Sequence, residues 1–158
     1  MRELMVNICR RWENGVTSRA DFDFDEQAAF FAEQGRRLSS LGVEWTWRAQ
    51  RFFRPGRFFV LPDQTGVVIG CANNGQPHEL VVVNADDQIR FVLTQPRISA
   101  DWAYGLVHLE LPRAGWPVGR IPFGPIACWS SRPDLPVMLG LNWETGEVVD
   151  FQLLPRFF

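Results

Sequence analysis

Residues 80–93 read Leu80-Val81-Val82-Val83-Asn84-Ala85-Asp86-Asp87-Gln88-Ile89-Arg90-Phe91-Val92-Leu93. A β-branched run, a short polar turn and a second apolar run form the pattern of a β-hairpin. Ile89, Phe91 and Leu93 alternate with Arg90 and Thr94, which predicts one buried and one wet face. Two more segments repeat this logic: Phe58–Leu61 and Val67–Ile69 around a turn at Pro62–Gly66, and Val137–Leu141 and Val148–Leu153 around a turn at Trp143–Gly146. Both of these turns hold a glycine where positive φ is required. Val149, Phe151 and Leu153 alternate with Asp150 and Gln152. Tyr104–Leu111 reads as a further strand closed by Pro112. Ile126–Trp129 reads as a strand inside the proline- and glycine-rich segment from Pro112 to Pro136.

Toward the N-terminus the pattern changes at Gly42. Asp23 or Asp25 caps a predicted helix that runs from Glu26 to about Leu41, with Gly42 as its stop. Asp25 and Glu26 suit its positive end, Arg36 and Arg37 its negative end. Ala28, Phe31 and Leu38 share one face and Phe30, Gln34 and Leu41 an adjacent one, a stripe wide enough to pack on a sheet. Residues 4–12 form a short strand or helix, and apolar spacing does not decide between them. The expectation is an α+β fold: one main N-terminal helix on a mostly antiparallel, twisted sheet of about six to eight strands built from hairpins. Residues 1–158 form a single domain, with a helical part at 1–42 and a β-rich part at 43–158. Residues 79–98 resemble 137–157, either as an internal repeat or as two hairpins converged on one turn chemistry. The second explanation is favoured.

The composition narrows the class of function. The chain has 158 residues, 46% of them apolar, enough for one core and too apolar for disorder. A net charge of −2 is too small to mark a nucleic-acid protein. All 16 basic residues are arginine, so every cation is planar, forked and permanently charged. Cys9, Cys71 and Cys128 are odd in number, widely separated and lack a C-x-x-C pair. That argues against a disulfide framework and a cysteine zinc site, and for free thiols in a reducing compartment. No apolar run is long enough for a signal peptide or a membrane span, so a soluble cytoplasmic protein without membrane contact is expected.

No catalytic motif stands out. His108 and Glu110 share a strand face with Tyr104, a row capable of acid–base work but equally an ordinary solvent face. Neither histidine, His78 or His108, has the partners of a metal site. A nucleophile elbow and a phosphate-binding loop are missing, and the lack of lysine excludes Schiff-base chemistry. Cys71 with His78 reads as a buried thiol rather than a nucleophile. The protein is expected to be no enzyme and to carry neither cofactor nor metal.

A binding surface is better represented. Arg48, Arg51, Arg54 and Arg57 recur every third residue among Trp45, Trp47, Phe52, Phe53, Phe58 and Phe59. Such a spacing alternates faces along a strand, and Pro55-Gly56 breaks a helix, so two short elements meet at Arg54–Arg57. The simplest reading packs the aromatics in the core and lays the arginines along the surface. Arginine and aromatics also anchor interfaces. Trp116 and Trp143 lie beside turns, where tryptophan is less easily buried, and Asp21, Asp23, Asp25 and Glu26 form an acidic group before the helix.

In size and organisation the chain resembles the immunity proteins that bacteria make against their own secreted or contact-delivered toxins. Those proteins are small, soluble, often α+β, and lack catalytic machinery. The resemblance implies a protein partner, a toxin domain, neutralised by occlusion; it carries over no functional residue. The contact candidates are the residues already singled out: Asp21, Asp23, Asp25, Glu26, Trp45, Trp47, Arg48, Arg51, Arg54, Arg57, Trp116 and Trp143. The acidic group suits a basic cleft and the arginines an acidic partner, so the two predict different surfaces. Two alternatives stand behind this one: a nucleic-acid binder using residues 45–59, weighed lower for its near-neutral charge, and a small-ligand or enzyme site at Tyr104, His108 and Glu110.

Overall fold

Among the described residues, most of the chain after Gly42 is strand, as its sequence signals predict. The computed structural model describes residues 2–22, 24–71, 79–93, 106–110, 125–130 and 136–153. In chain order the elements are β1 (Val6–Trp12), β2 (Thr17–Arg19), α1 (Phe24–Gln34), β3 (Ser40–Trp47), β4 (Gln50–Pro55), β5 (Arg57–Val60), β6 (Gly66–Cys71), β7 (Glu79–Asn84), β8 (Ile89–Leu93), β9 (Leu106–Glu110), β10 (Pro125–Ser130), β11 (Pro136–Leu141) and β12 (Val148–Leu153). Among the described residues the strands form three four-stranded sheets. The first has the order β2-β1-β3-β4, and the other two are meanders, β5 to β8 and β9 to β12. All neighbours are antiparallel.

The α+β class fits, but the single sheet of the sequence reading becomes three. A strongly twisted sheet rarely stays open beyond about ten strands, whereas short meanders pack against one another. The three hairpins form where they were read, with Val60 facing Val67, Val83 facing Ile89 and Leu141 facing Val148. Gly146 takes the positive φ expected of it, at 81°, but in the β5–β6 turn Gln64, at φ 60°, takes that conformation in place of Gly66. The two similar hairpins, β7–β8 and β11–β12, are the last two strands of their own meanders.

The helix is shorter than expected. It ends at Gln34, and Gly35 at φ 73° closes it by donating its N–H to the Ala32 carbonyl. Phe30 stacks on Trp12 at 5.2 Å and Phe31 meets it edge-on at 5.3 Å. Residues 6–12, undecided from sequence, are strand. Gly42 is no helix stop: it lies within β3, where an added Cβ would come 2.1 Å from the Arg54 carbonyl oxygen. Only glycine permits β4 to approach so closely.

The core lies between the first two sheets. Met5, Val43, Trp45, Val67, Ile69, Val83 and Ala85 form one buried cluster. Trp45 is wholly buried, stacks on Phe52 at 5.7 Å and donates its indole N–H to the Ala85 carbonyl at 2.8 Å. One side chain of β3 thereby ties the first sheet to the β7–β8 turn.

A second tie overturns the alternation read for β8. Ile89 is 55% exposed, while the Arg90 side chain is 1% exposed. The register shifts between the Val82 and Val83 pairs, a β-bulge that turns Arg90 inward. Its guanidinium donates to Asn84 Oδ1 at 2.6 Å, and at 3.1 Å to the Trp143 carbonyl, the Thr65 carbonyl and Thr65 Oγ1. Three hairpin turns are thus joined by one cation. Arg2 extends the arrangement, pairing with Glu144 at 2.6 Å and donating to Asn84 Oδ1 at 3.0 Å.

Candidate protein-contact surface

The four arginines of the 45–59 segment point to different places. Arg48 and Ala49, at φ 48° and 64°, are the two central residues of the tight turn between β3 and β4. The Arg48 guanidinium lies 4.6 Å from the Trp47 ring and 2.5 Å from a Glu3 oxygen. Arg54 sits on the core-facing side of β4, bonded to the Asp87 carboxylate at 2.7 Å and its carbonyl at 3.0 Å. Arg57 opens β5 in the second sheet, is exposed, and has no hydrogen bond or ion pair to a described residue.

Arg51 belongs to another constellation. Antiparallel pairing places the partners of a pair on the same face. Cys9 faces Glu44, Glu44 faces Phe53, and Thr46 faces Arg51, so these side chains share the face of the first sheet turned away from Val43 and Trp45. Arg11 joins them. Glu44 is 5% exposed. Its Oε1 accepts a hydrogen bond from Arg11 Nη2, and its Oε2 accepts one from Arg51 Nη2 at 3.0 Å and one from the Cys9 thiol at 3.5 Å. The Arg11 guanidinium lies 4.1 Å from the Phe53 ring centre.

This cluster has a definite electrostatic character. Burial pushes the Glu44 carboxyl upward, but the hydrogen bonds from Arg11, Arg51 and Cys9 outweigh it and hold the group below its ordinary range. Burial, then the Glu44 carboxylate, push the Cys9 thiol upward, so it is a protonated donor at neutral pH. Glu44 is therefore an anion fixed between two cations. Arg11, Glu44 and Phe53 were missed from sequence as site residues. Their signal was Glu44 itself, a carboxylate placed between Val43 and Trp45 in a β-rich run.

Other candidate residues scatter. Trp45 and Trp143 are 0% and 5% exposed and belong to the interior; Trp47 is half-buried at the β3–β4 turn. Burial of Trp143 follows from the convergence of three turns on Arg90. Asp21 and Glu26 pair with Arg19 at 3.6 and 3.1 Å, and Asp25 is exposed in the first turn of α1. Asp23, Trp116, Tyr104 and His78 lie outside the described residues; His108 and Glu110 fall in β9 and Cys71 in β6. Among the described residues no group of three or more His, Cys, Asp and Glu side chains is placed to hold a metal, and no helix is long and apolar enough to cross a membrane.

A groove of about 930 Å³ separates β1 from β5, lined by Val6, Ile8, Phe22, Phe58 and Val60 among others. Its charged lining side chains are Arg10 and Asp21. Arg10 is committed to the Ser40 hydroxyl at 2.8 Å, the Ala20 carbonyl at 3.1 Å and the Phe58 ring at 4.3 Å. The groove has shape but no converging acid–base pair.

Comparison with known proteins points to the fold alone. No protein-family model matches the sequence, and no curated protein sequence matches it. The structure is similar to a chain in the solved structure of Tne2 in complex with Tni2, with a TM-score of 0.70 and 17% sequence identity, over 96% of this chain and 100% of that one. The likeness therefore spans nearly the whole chain while little of the sequence is shared.

Proposed function

We propose that this protein binds and neutralises a partner protein, acting as an immunity protein that blocks a cognate bacterial toxin by occlusion. The observation that carries this reading is the match, over that chain's full length, to a chain solved in a two-protein complex. The arginine segment supports a protein partner over a nucleic acid. Arg48, Arg51 and Arg54 are each already paired with a carboxylate and do not line up: Arg48 is at the β3–β4 turn, Arg51 on the outer face of the first sheet and Arg54 on its core-facing side. Strand binding needs a continuous track of free positive charge with stacking platforms. Occlusion requires no catalytic group on this chain, only a surface that covers the partner's site.

The test is a tagged pull-down from the source lysate, with and without nuclease treatment, followed by co-expression with the captured protein. One stoichiometric protein that survives nuclease, and whose toxicity to bacterial cells is suppressed by co-expression, supports the reading. Nucleic acid that leaves with nuclease or moderate salt refutes it.

A further inference from the structure

We propose that the outer face of the first sheet is the contact surface for a carboxylate-bearing segment of the partner protein, received by Arg11 and Arg51 beside Phe53. This rests on the reading that the protein binds a partner, and adds where it binds and with what chemistry.

Charge matching comes first. Arg48 and Arg54 each have a carboxylate of their own, in Glu3 and Asp87. Arg11 and Arg51 share one, Glu44. The pair therefore carries an excess positive charge, in a protein whose net charge is −2. One more carboxylate would balance this pair.

Donor geometry comes next. Each guanidinium reaches Glu44 through Nη2 alone. The Nε and Nη1 donors of both have no partner among the described residues. A guanidinium offers two-pronged edges that match a carboxylate, so these free edges can receive one. The Arg51 side chain is 73% exposed and that of Arg11 34%, so both are reachable from solvent.

The position of Glu44 points the same way. Burying a carboxylate in a strand is expensive, and an apolar or threonine side chain would serve a sheet better. What Glu44 supplies is orientation: it holds two long side chains in place before a partner arrives. Side-chain ordering is a main cost of association, and a pre-ordered pair has already met it. Phe53, half-buried under Arg11, adds the apolar floor that lets a charged contact exclude water. Among the described residues, the hydrogen bonds, ion pairs and ring contacts of Arg11, Glu44, Arg51 and Phe53 stay within this face. Two cations around one carboxylate make a local receptor rather than a track along a phosphate chain.

The experiment is a ¹H–¹⁵N NMR titration of the full chain, including the arginine Nε–Hε signals. The probes are an acetylated ten-residue Glu/Ala peptide, its Lys/Ala counterpart and a thymidine decanucleotide. The expected result is saturable shifts at Arg11, Arg51, Thr46 and Phe53 with the acidic peptide and none with the basic one. Arg51→Ala should weaken the acidic peptide at least tenfold, Arg51→Lys less, and Arg57→Ala not at all. Shifts that are absent, or centred on other arginines, overturn the proposal. So does tighter saturation of the same signals by the oligonucleotide. A second arm tests the protein captured by pull-down against Arg51→Glu and Arg57→Glu. Loss confined to Arg51→Glu supports the contact surface. Equal retention by both overturns the surface and leaves the inhibitor reading standing. Peptide binding at Arg11 and Arg51 without any captured partner supports the chemistry of the face and counts against the inhibitor reading instead.

Discussion

Replacing Glu44 with glutamine separates charge from shape in the outer-face cluster. The amide keeps the size of the carboxylate but leaves Arg11 and Arg51 without their shared anion. A hydrogen bond to a charged group contributes about 1.5–3 kcal/mol, and the Arg11 contact sits near the middle of that range because the Glu44 side chain is only 7% exposed. Arg51 is 73% exposed, so water screens its share to about 0.5 kcal/mol. An amide is easier to bury than a carboxylate, which returns about 1 kcal/mol. The net expectation is a loss of about 1–2 kcal/mol at pH 7, or a fall in Tm of about 3–6 °C for a chain of this length. The pH dependence sharpens the test. Glu44 has its folded carboxyl held below the ordinary value of 4.5, so its contribution is complete above that value and is lost as pH falls through the folded pKa. Urea unfolding of both proteins, followed by circular dichroism from pH 7 downward, should show a full gap at neutral pH that closes in acid. A variant within about 0.5 kcal/mol of the parent at pH 7, or a gap that ignores pH, would refute the idea that Glu44 acts through its charge.

Other parts of the structure make independent predictions. Arg90→Lys keeps the charge but cannot reach Asn84, Thr65 and Trp143 together, so it should lose about 2–4 kcal/mol in the same urea experiment; near-parent stability would mean the three turns are held by other contacts. Gly42→Ala drives a methyl into the Arg54 carbonyl and should cost at least about 2 kcal/mol, or fail to fold, whereas Gly15→Ala, with nothing within 4 Å but φ at 84°, should cost about 1 kcal/mol. Cys9 should be alkylated by iodoacetamide at pH 8 more slowly than a free cysteine, read by peptide mass spectrometry to separate it from Cys71 and Cys128. Glu44→Gln should speed that reaction by removing the neighbouring anion; an unchanged rate would show that Glu44 does not govern the thiol.

The hairpins were legible because their information is local. A turn and the alternation beside it lie within a dozen residues, so β5–β6, β7–β8 and β11–β12 can be read from neighbouring side chains. The division of the strands into three sheets was not legible, since it depends on which hairpin faces meet. Arg90 shows where local reading fails. Alternation placed it in solvent, and a bulge against Val82 and Val83 reversed it. Trp143 follows the same rule: beside a turn it reads as exposed, but the turn packs where Arg90 gathers three loops.

The candidate site divides in the same way. The abundance of arginine and aromatics around residues 45–59, and with it the preference for binding over catalysis, is a property of composition that the chain carries without folding. Arg51 was visible for that reason. Its companions were not, because Arg11 and Glu44 are 33 residues apart and meet only when β1 pairs with β3. Sequence by itself determined where the hairpins β5–β6, β7–β8 and β11–β12 turn, because turn chemistry and side-chain alternation act over short distances; it did not determine the strands before Gly56. Tertiary structure alone decided which arginines share a carboxylate and which have their own, because that depends on strand register, and register is set by whichever apolar faces bury one another.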